Sequence, residues 1–314
     1  MEVKRFTVPL DSSTSTTLTS LWGDIFGGGY DPLPGLYAGE EIHCNDDTIF
    51  ACIEGSSIIG TLHMTISRKT PSLAGFGEVA TLPEYRGRGI ATSLLDVAIG
   101  CFESKDGRAL FLGSGNPAAQ RVYERVGFLR LQNSNIFARI LSDMPADDFY
   151  SEYFEPCGAG EVLAGSPSER IDMIPLLAFP SPSPILDCNL NLFSTTYTHQ
   201  PSCMGLYPKY ESLRQRGGEF FALRNDKGRL VGLATAVMVD DACWMDGFTH
   251  PSFSDGLPTL LRAAMDWGTG KTVRYRTKFP VDDSFKQTVF SQLGFRPISA
   301  DILEWCSEYF CAGR

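Results

Sequence analysis

Two related α/β domains in tandem are the fold class that the sequence predicts, and three observations predict it. The chain has 314 residues, close to twice the common domain length of about 150. Its strand and turn patterns recur in order at a nearly constant offset. Within the first half, a strand, a glycine-rich basic loop and an amphipathic helix follow one another directly, the alternation expected of an α/β fold.

The run TIFACIEGSSIIGTLHMTIS (48–67) reads as two strands of half-alternating apolar residues around a Gly-Ser turn. EFFALRNDKGRLVGLATAVMV (219–239) repeats that layout, with Phe221 and Gly232 where the first copy has Phe50 and Gly60. Downstream, TLPEY (81–85) is echoed by THPSF (249–253), and VYERVGF (122–128) by VFSQLGF (289–295). Several pairs in one order at an offset of roughly 170 residues point to a duplicated fold. The predicted domains are 1–145 and 160–314, because proline, glycine and acidic residues break the periodicity between Asp143 and Gly165. FPSPSP (179–184) reads as a loop inside the second half.

Composition narrows the function. A chain that is 43% hydrophobic and 20% charged reads as soluble and globular, with no stretch long enough to span a bilayer. Its start lacks the basic-then-apolar layout of a secretory signal, so a cytoplasmic location is expected. The nine cysteines and four histidines show neither CxxC pairs nor metal-ligand spacing, so no metal site is expected. A formal charge of −10 without any Lys/Arg run argues against nucleic acid and favours a cationic small molecule.

The most informative run is GFGEVATLPEYRGRGIATSLLDVAIGCF (75–102). It begins as a strand, turns through Pro83 and a glycine-rich loop, and enters a helix whose apolar positions Ile90, Leu94, Val97, Ala98 and Cys101 recur at helical spacing. The first N–H groups of a helix have no intrahelical partners, and the helix dipole there favours negative charge. Gly87 and Gly89 permit close backbone approach, Ala91 keeps the first turn uncrowded, and Arg86 and Arg88 add positive charge. The P-loop pattern GxxxxGK[ST] is absent, and RGRGIA is not a dinucleotide fingerprint. A second run, GSGNPAAQRVYERVGF (113–128), follows the buried strand ALFLG; Asn116 or Ser114 can cap a short helix with Pro117 at its first position, Tyr123 within it and Gly127 at its end.

Arg86, Gly89 and Ala91 match the Arg/Gln-x-x-Gly-x-Gly/Ala signature of the GNAT (Gcn5-related N-acetyltransferase) superfamily, and the preceding VATLPEY is similar to what that family places there. The resemblance covers about 50–131 specifically and extends to the tandem-domain type, with an active first domain and a degenerate second one. It implies two GNAT folds, each a mixed, mostly antiparallel twisted sheet flanked by helices. It implies acetyl-CoA as acyl donor, with the backbone of Ala80, Thr81 and Leu82 pairing with the pantetheine arm, and the loop Arg86, Gly87, Arg88, Gly89, Ile90 and Ala91 holding the diphosphate. It also implies that Asn116 contacts acetyl-CoA and that Tyr123 lies near its sulfur.

An amine must be neutral to attack a thioester. With a lysine-like pKa of about 10.4, only about one molecule in 2,500 is neutral at pH 7, a penalty of roughly 4.6 kcal/mol. Glu78 is the candidate base, with Glu40 and Glu41 behind it; a solvated strand residue is the alternative reading of Glu78. Where the first copy has Tyr123 and RGRGIA, the second has Phe290 and SFSDGLPTLL (252–261), so the second domain is expected not to hold acetyl-CoA. The expected activity is N-acetylation of a primary amine on a small cationic molecule, by a monomer or homodimer. Acetylation of a protein or peptide, and a non-catalytic acyl-CoA-binding regulator, are the alternatives.

Overall fold

The computed structural model describes residues 2–312 except 28–29, 31–32, 143, 159, 179, 273 and 299–305, so Asp143 and Phe179 lie outside the described residues. The chain divides into two units. One comprises Met1–Leu131, Asn135–Ala146 and Pro201–Met204; the other comprises Gln132–Ser134, Asp147–Gln200 and Gly205–Arg314.

The first unit runs β1 (Glu2–Thr7), α1 (Ser12–Phe26), α2 (Pro34–Ala38), β2 (Asn45–Glu54), β3 (Ser57–Ser67), β4 (Leu73–Thr81), α3 (Ile90–Glu103), β5 (Ala109–Gly113), α4 (Pro117–Arg125), β6 (Leu129–Arg130) and β7 (Ile136–Ile140). Its seven strands are ordered β1-β2-β3-β4-β5-β7-β6, and only β4 and β5 run parallel. The hairpin read from residues 48–67 is β2 and β3, turning at Gly55 with φ +61°. The helix read after RGRGIA is α3, which buries Ile90, Leu94, Leu95, Ala98, Ile99 and Phe102 in a core with Phe50, Leu62, Phe76 and Tyr123. On another face α1 and α2 bury Leu18, Trp22, Leu36 and Tyr37. Asp11 caps α1, accepting from the Thr14 amide at 2.9 Å.

The second unit runs α5 (Ala146–Tyr153, its first residue counting with the first unit), β8 (Val162–Ala164), α6 (Glu169–Ala178), β9 (Ile185–Asp187), β10 (Leu192–Phe193), α7 (Leu206–Gln215), β11 (Glu219–Arg224), β12 (Leu230–Val239), β13 (Ala242–Thr249), α8 (Leu257–Gly268), β14 (Arg274–Pro280), α9 (Ser284–Gln292), β15 (Arg296–Pro297) and β16 (Cys306–Ala312). Its main sheet is again seven-stranded, ordered β15-β16-β14-β13-β12-β11-β8, with β13 and β14 as its parallel pair. The fold class is therefore α/β, with two mixed, mostly antiparallel sheets flanked by helices. Each sheet has its one parallel junction at the strand that leads toward a long helix.

The two units share one steric detail. A Cβ added at Gly60 would stand 2.6 Å from Ile90 Cγ2 and 3.1 Å from the Ala80 carbonyl. One at Gly232 would stand 2.7 Å from Thr249 Cγ2, 3.0 Å from the Phe248 carbonyl and 3.1 Å from Leu260 Cδ2. In both units glycine is needed where the helix after the parallel junction presses on the preceding hairpin. Gly60→Ala should overpack this contact and lower unfolding free energy by about 1–3 kcal/mol, read from urea midpoints; an unchanged midpoint would contradict the close approach.

Candidate active site

The site begins with a break in strand pairing. β3 and β4 pair as Gly60↔Thr81 and Thr61↔Ala80 on one side of a register shift and as His63↔Gly77 on the other. Glu78 and Val79 therefore both face the single residue Leu62, a β-bulge. Glu78 takes φ +44°, a region that non-glycine residues seldom occupy. On its other edge β4 pairs with β5 only from Leu73 to Phe76, so Gly77–Thr81 splays away from β5. The Leu82 amide donates to the Ile59 carbonyl at 3.0 Å, and backbone groups alternate sides along a strand. Leu82 and Ala80 thus turn their backbone groups toward β3, while Thr81 and Val79 turn theirs to the open edge. Of the three residues named from sequence for backbone pairing, Thr81 is the one on that edge; the alternation adds Val79.

After β4 a 3-10 turn over Pro83–Tyr85 leads into the loop. Gly87 and Gly89 both have φ +78°, and a Cβ at either would meet nothing within 4 Å. The backbone conformation requires glycine there, and the space in front of the loop is open. Gly89 is the N-cap of α3 and no side chain caps the first turn that Ile90 and Ala91 begin, which leaves those N–H groups facing outward. Arg86 Nε donates to the Thr81 carbonyl at 3.2 Å. Arg88 donates to the Glu84 carbonyl at 3.0 Å and its guanidinium lies 4.8 Å from the Tyr85 ring centre. Uncapped amides, open glycines and two exposed arginines fit a diphosphate group.

Glu78 is not a solvated strand residue. Its side chain is 14% exposed, and Oε2 lies 2.9 Å from His63 Nδ1. His63 Nε2 lies 2.8 Å from Asp47 Oδ1, which also accepts from Thr65 Oγ1 at 2.6 Å. Burial pushes the imidazole pKa down, but hydrogen bonds to Asp47 and Glu78 outweigh it and hold His63 at about 9. At neutral pH both ring nitrogens then donate, and the row Asp47, His63, Glu78 carries a net charge of about −1. Trp22 Nε1 donates to Thr61 Oγ1 at 2.9 Å, and Thr61 Oγ1 donates to the Glu78 carbonyl at 2.8 Å, so α1 holds the bulge itself. The Tyr37 ring sits 5.2 Å from Trp22 and 5.6 Å from His63, and burial, with the charge of Glu78, pushes its hydroxyl pKa up. Glu40 instead packs its carboxylate on Gly35, and Glu41 accepts from Asn45 Nδ2 at 3.3 Å.

Asn116 caps α4, accepting from the Ala118 amide at 2.9 Å, while Ser114 Oγ accepts from the Asn116 amide at 3.1 Å. Tyr123 is buried in α4, its ring 6.4 Å from Phe128 and 6.2 Å from Phe137. Burial, with a small contribution from Cys203, raises its hydroxyl to about 12. Cys203 belongs to the segment 201–204 that counts with this unit; a Cβ on Gly113 would stand 3.1 Å from its amide and 3.3 Å from its sulfur. That segment lines the end of β5, a neighbour the sequence does not reveal. Asp47, His63, Trp22 and Thr61 were also outside the residues selected from sequence. The available signal was His63 itself, an ionisable group in the apolar run TLHMTI that burial obliges to find partners.

The second unit lacks this arrangement. β12 and β13 pair without a register shift from Gly232↔Thr249 to Val239↔Ala242, so there is no bulge. Counting back from the Gly–Thr pair, Asp246 stands where Glu78 stands. It is buried and accepts from Lys286 Nζ at 2.6 Å. Phe290, at the Tyr123 position, is packed 5.4 Å from Phe279 and 5.1 Å from Phe295.

The first unit is thus an α/β fold with an anion-receptive strand, loop and helix beside a splayed, bulged strand. The model of the acetyltransferase (GNAT) family matches residues 16–128. No functionally curated protein matches it. Similar solved structures include a GNAT-family acetyltransferase from Staphylococcus aureus Mu50, with 17% identity, 45% of this chain and 100% of that one covered, and a TM-score of 0.36. Escherichia coli ElaA matches with 15% identity, 44% and 98% coverage and a TM-score of 0.38. A mutant spermidine/spermine N-acetyltransferase SpeG from Vibrio cholerae matches with 11% identity, 48% and 92% coverage and a TM-score of 0.38. Among the described residues no helix is long and apolar enough to cross a membrane.

Because His63 is held above its free value of about 6.5, its charge stabilises the fold fully below pH 6.5, and that contribution fades as pH rises through about 9. The shift corresponds to something on the order of 3 kcal/mol. The difference in unfolding free energy between wild type and His63→Gln should therefore be largest near pH 6 and shrink toward pH 9.5; a difference constant across that range would contradict the charged state.

Proposed function

We propose that the first unit is an acetyl-CoA-dependent N-acetyltransferase acting on a primary amine of a small cationic molecule, by direct attack of the amine on the thioester. The observation that carries this reading is the placement of Glu78, which the bulge seats at the open stretch of β4, in the same unit as the uncapped turn of α3. Acetyl-CoA supplies the activated acyl group. The loop 86–91 binds its diphosphate through the first amides of α3 and the two arginines, and the open edge at Val79 and Thr81 pairs with the amide-bearing arm. Asn116 orients α4 by capping it.

The amine arrives protonated. Glu78 binds His63 through Oε2, which leaves Oε1 to accept the amine proton. The net negative row Asp47, His63, Glu78 attracts the ammonium, one proton passes to Oε1 before attack, and the neutral amine then adds to the thioester carbonyl. As the C–S bond breaks, the second nitrogen proton goes to the departing thiolate, leaving amide and free thiol. Asp47 and His63 act as positioning residues, holding the Glu78 rotamer. Tyr123 supplies a hydrogen bond where thiolate charge develops. With its hydroxyl at about 12 and a typical thiol at about 8.5, full proton transfer would be uphill by roughly 5 kcal/mol. Stabilisation by a hydrogen bond is the role that fits. Eight of the nine cysteines are free thiols, which agrees with a reducing, cytoplasmic location.

Mixing the protein with acetyl-CoA and an amine set, and following free thiol, tests the reading against that of a non-catalytic sensor. Tyr123→Phe and Glu78→Gln should each lower kcat by roughly 10²-fold while leaving the Kd for coenzyme A, read by calorimetry, close to wild type. Arg86→Ala should act oppositely, raising that Kd with a smaller change in kcat. Coenzyme A binding without any amine-dependent thiol release would favour the sensor.

A further inference from the structure

The second unit contains a cavity of about 370 Å³ bordered by the end of β13 and the start of α9, the elements that match in order those proposed to hold acetyl-CoA in the first. Thr249 in its wall is the counterpart of Thr81, and Asp283, the N-cap of α9, is the counterpart of Asn116. The chemistry of the place is inverted. Among the described residues no arginine lines it, and Asp282 and Asp283 do. A diphosphate would meet two carboxylates.

Lys286 also borders the cavity, but its charge is already matched. Nζ donates to Asp246 Oδ1 at 2.6 Å and to the Leu186 carbonyl at 3.1 Å. A second buried carboxylate, Asp187, lies close enough to Asp246 that burial and that neighbour both raise its pKa. The N-terminus of α9 contributes about half a positive charge, less than the two carboxylates at the cavity. The net field there is negative.

Two groups in the wall have unmet hydrogen-bonding capacity. Asp283 is 7% exposed; Oδ1 accepts from the Lys286 amide at 3.0 Å, and Oδ2 is buried without a partner. Thr249, also 7% exposed, has a buried hydroxyl without a partner. A buried carboxylate oxygen in this state is satisfied by an N–H donor, and a charged donor satisfies it best. Phe248, Leu257 and Phe285 give the wall its large apolar surface, beside four serines at 181, 183, 254 and 284. Phe285 is 41% exposed and offers a ring face to a cation at the entrance.

We propose that this cavity is a binding site for a small organic ammonium ion, its N–H groups on Asp283 and Asp282 and its hydrocarbon part against Phe248, Leu257 and Phe285. The site is separate from the acceptor site of the first unit and does not depend on catalysis there. It gives the unit that lost the cofactor loop a ligand of the opposite charge.

Calorimetry on the full chain with phenethylammonium, and with 2-phenylethanol as its neutral counterpart, tests this. Asp283→Asn removes the charge but keeps an equally good helix cap, and Phe285→Ala alters a surface ring whose loss leaves the core intact. The expected result is an ammonium-binding event that persists in Glu78→Gln, weakens at least roughly tenfold in Asp283→Asn and also weakens in Phe285→Ala. Affinity unchanged in both cavity variants, equal binding of the alcohol, or loss of binding in Glu78→Gln would overturn the proposal. Absence of thiol release with this binding intact would count against the acetyltransferase reading alone.

Discussion

The hydrogen-bonded chain from Trp22 through Thr61 to the Glu78 carbonyl is the constraint on which the first unit depends. A non-glycine residue at φ +44° costs on the order of 1–2 kcal/mol, and a bulge leaves backbone groups without partners. The Thr61 bond to the Glu78 carbonyl, itself braced by Trp22, and the His63 bond to the Glu78 side chain offset that cost. Were the bulge absent, every residue beyond it would move one place in register. Side chains from Val79 onward would exchange faces, and the edge groups of Val79 and Thr81 would turn away from the splay. One residue of excess length in β4 thus sets both where the carboxylate lies and which amides are open.

The two units test that dependence on a single chain. Both retain the glycine that lets the long helix approach, the parallel junction and the short capped helix after it. Only the first has the bulge, and it alone has paired positive-φ glycines and arginines in the following loop. In the second, β13 pairs in continuous register, Asp246 is tied to Lys286, and Phe290 fills the Tyr123 position within an aromatic cluster. The frame survives without the chemistry because its stability rests on buried apolar side chains, which tolerate exchange. The site rests on strained backbone and unpaired polar groups, which do not help the fold by themselves.

What the sequence makes legible follows from this division. The hairpin at 48–67, the loop at 86–91, α3 and the capped α4 are local, each written in a dozen or so contiguous residues with a turn or cap signal, and the structure forms them where expected. Glu78 was identifiable as a carboxylate on the right strand, but not as a bulged residue, because a bulge is a relation between β3 and β4. His63 and Asp47 escaped for the same reason: they meet only when β2 pairs with β3, across 16 residues. The 201–204 segment beside Gly113 is the extreme case, since a contact between residues 90 positions apart leaves no periodic trace. The alternation that distinguishes Thr81 from Ala80 and Leu82 needed the observed register as well.

The two buried polar clusters also differ in what a proton can do. In the first unit an imidazole lies between two carboxylates, with one ring nitrogen on each. It can release or accept a proton at either nitrogen while both contacts persist, so the charge on Glu78 can change without the side chains moving. In the second unit the bridging cation is an ammonium that donates to one carboxylate and a carbonyl; its loss of a proton would leave a buried carboxylate beside another with no counter-charge. One arrangement permits proton exchange between its members and the other fixes its charges in place.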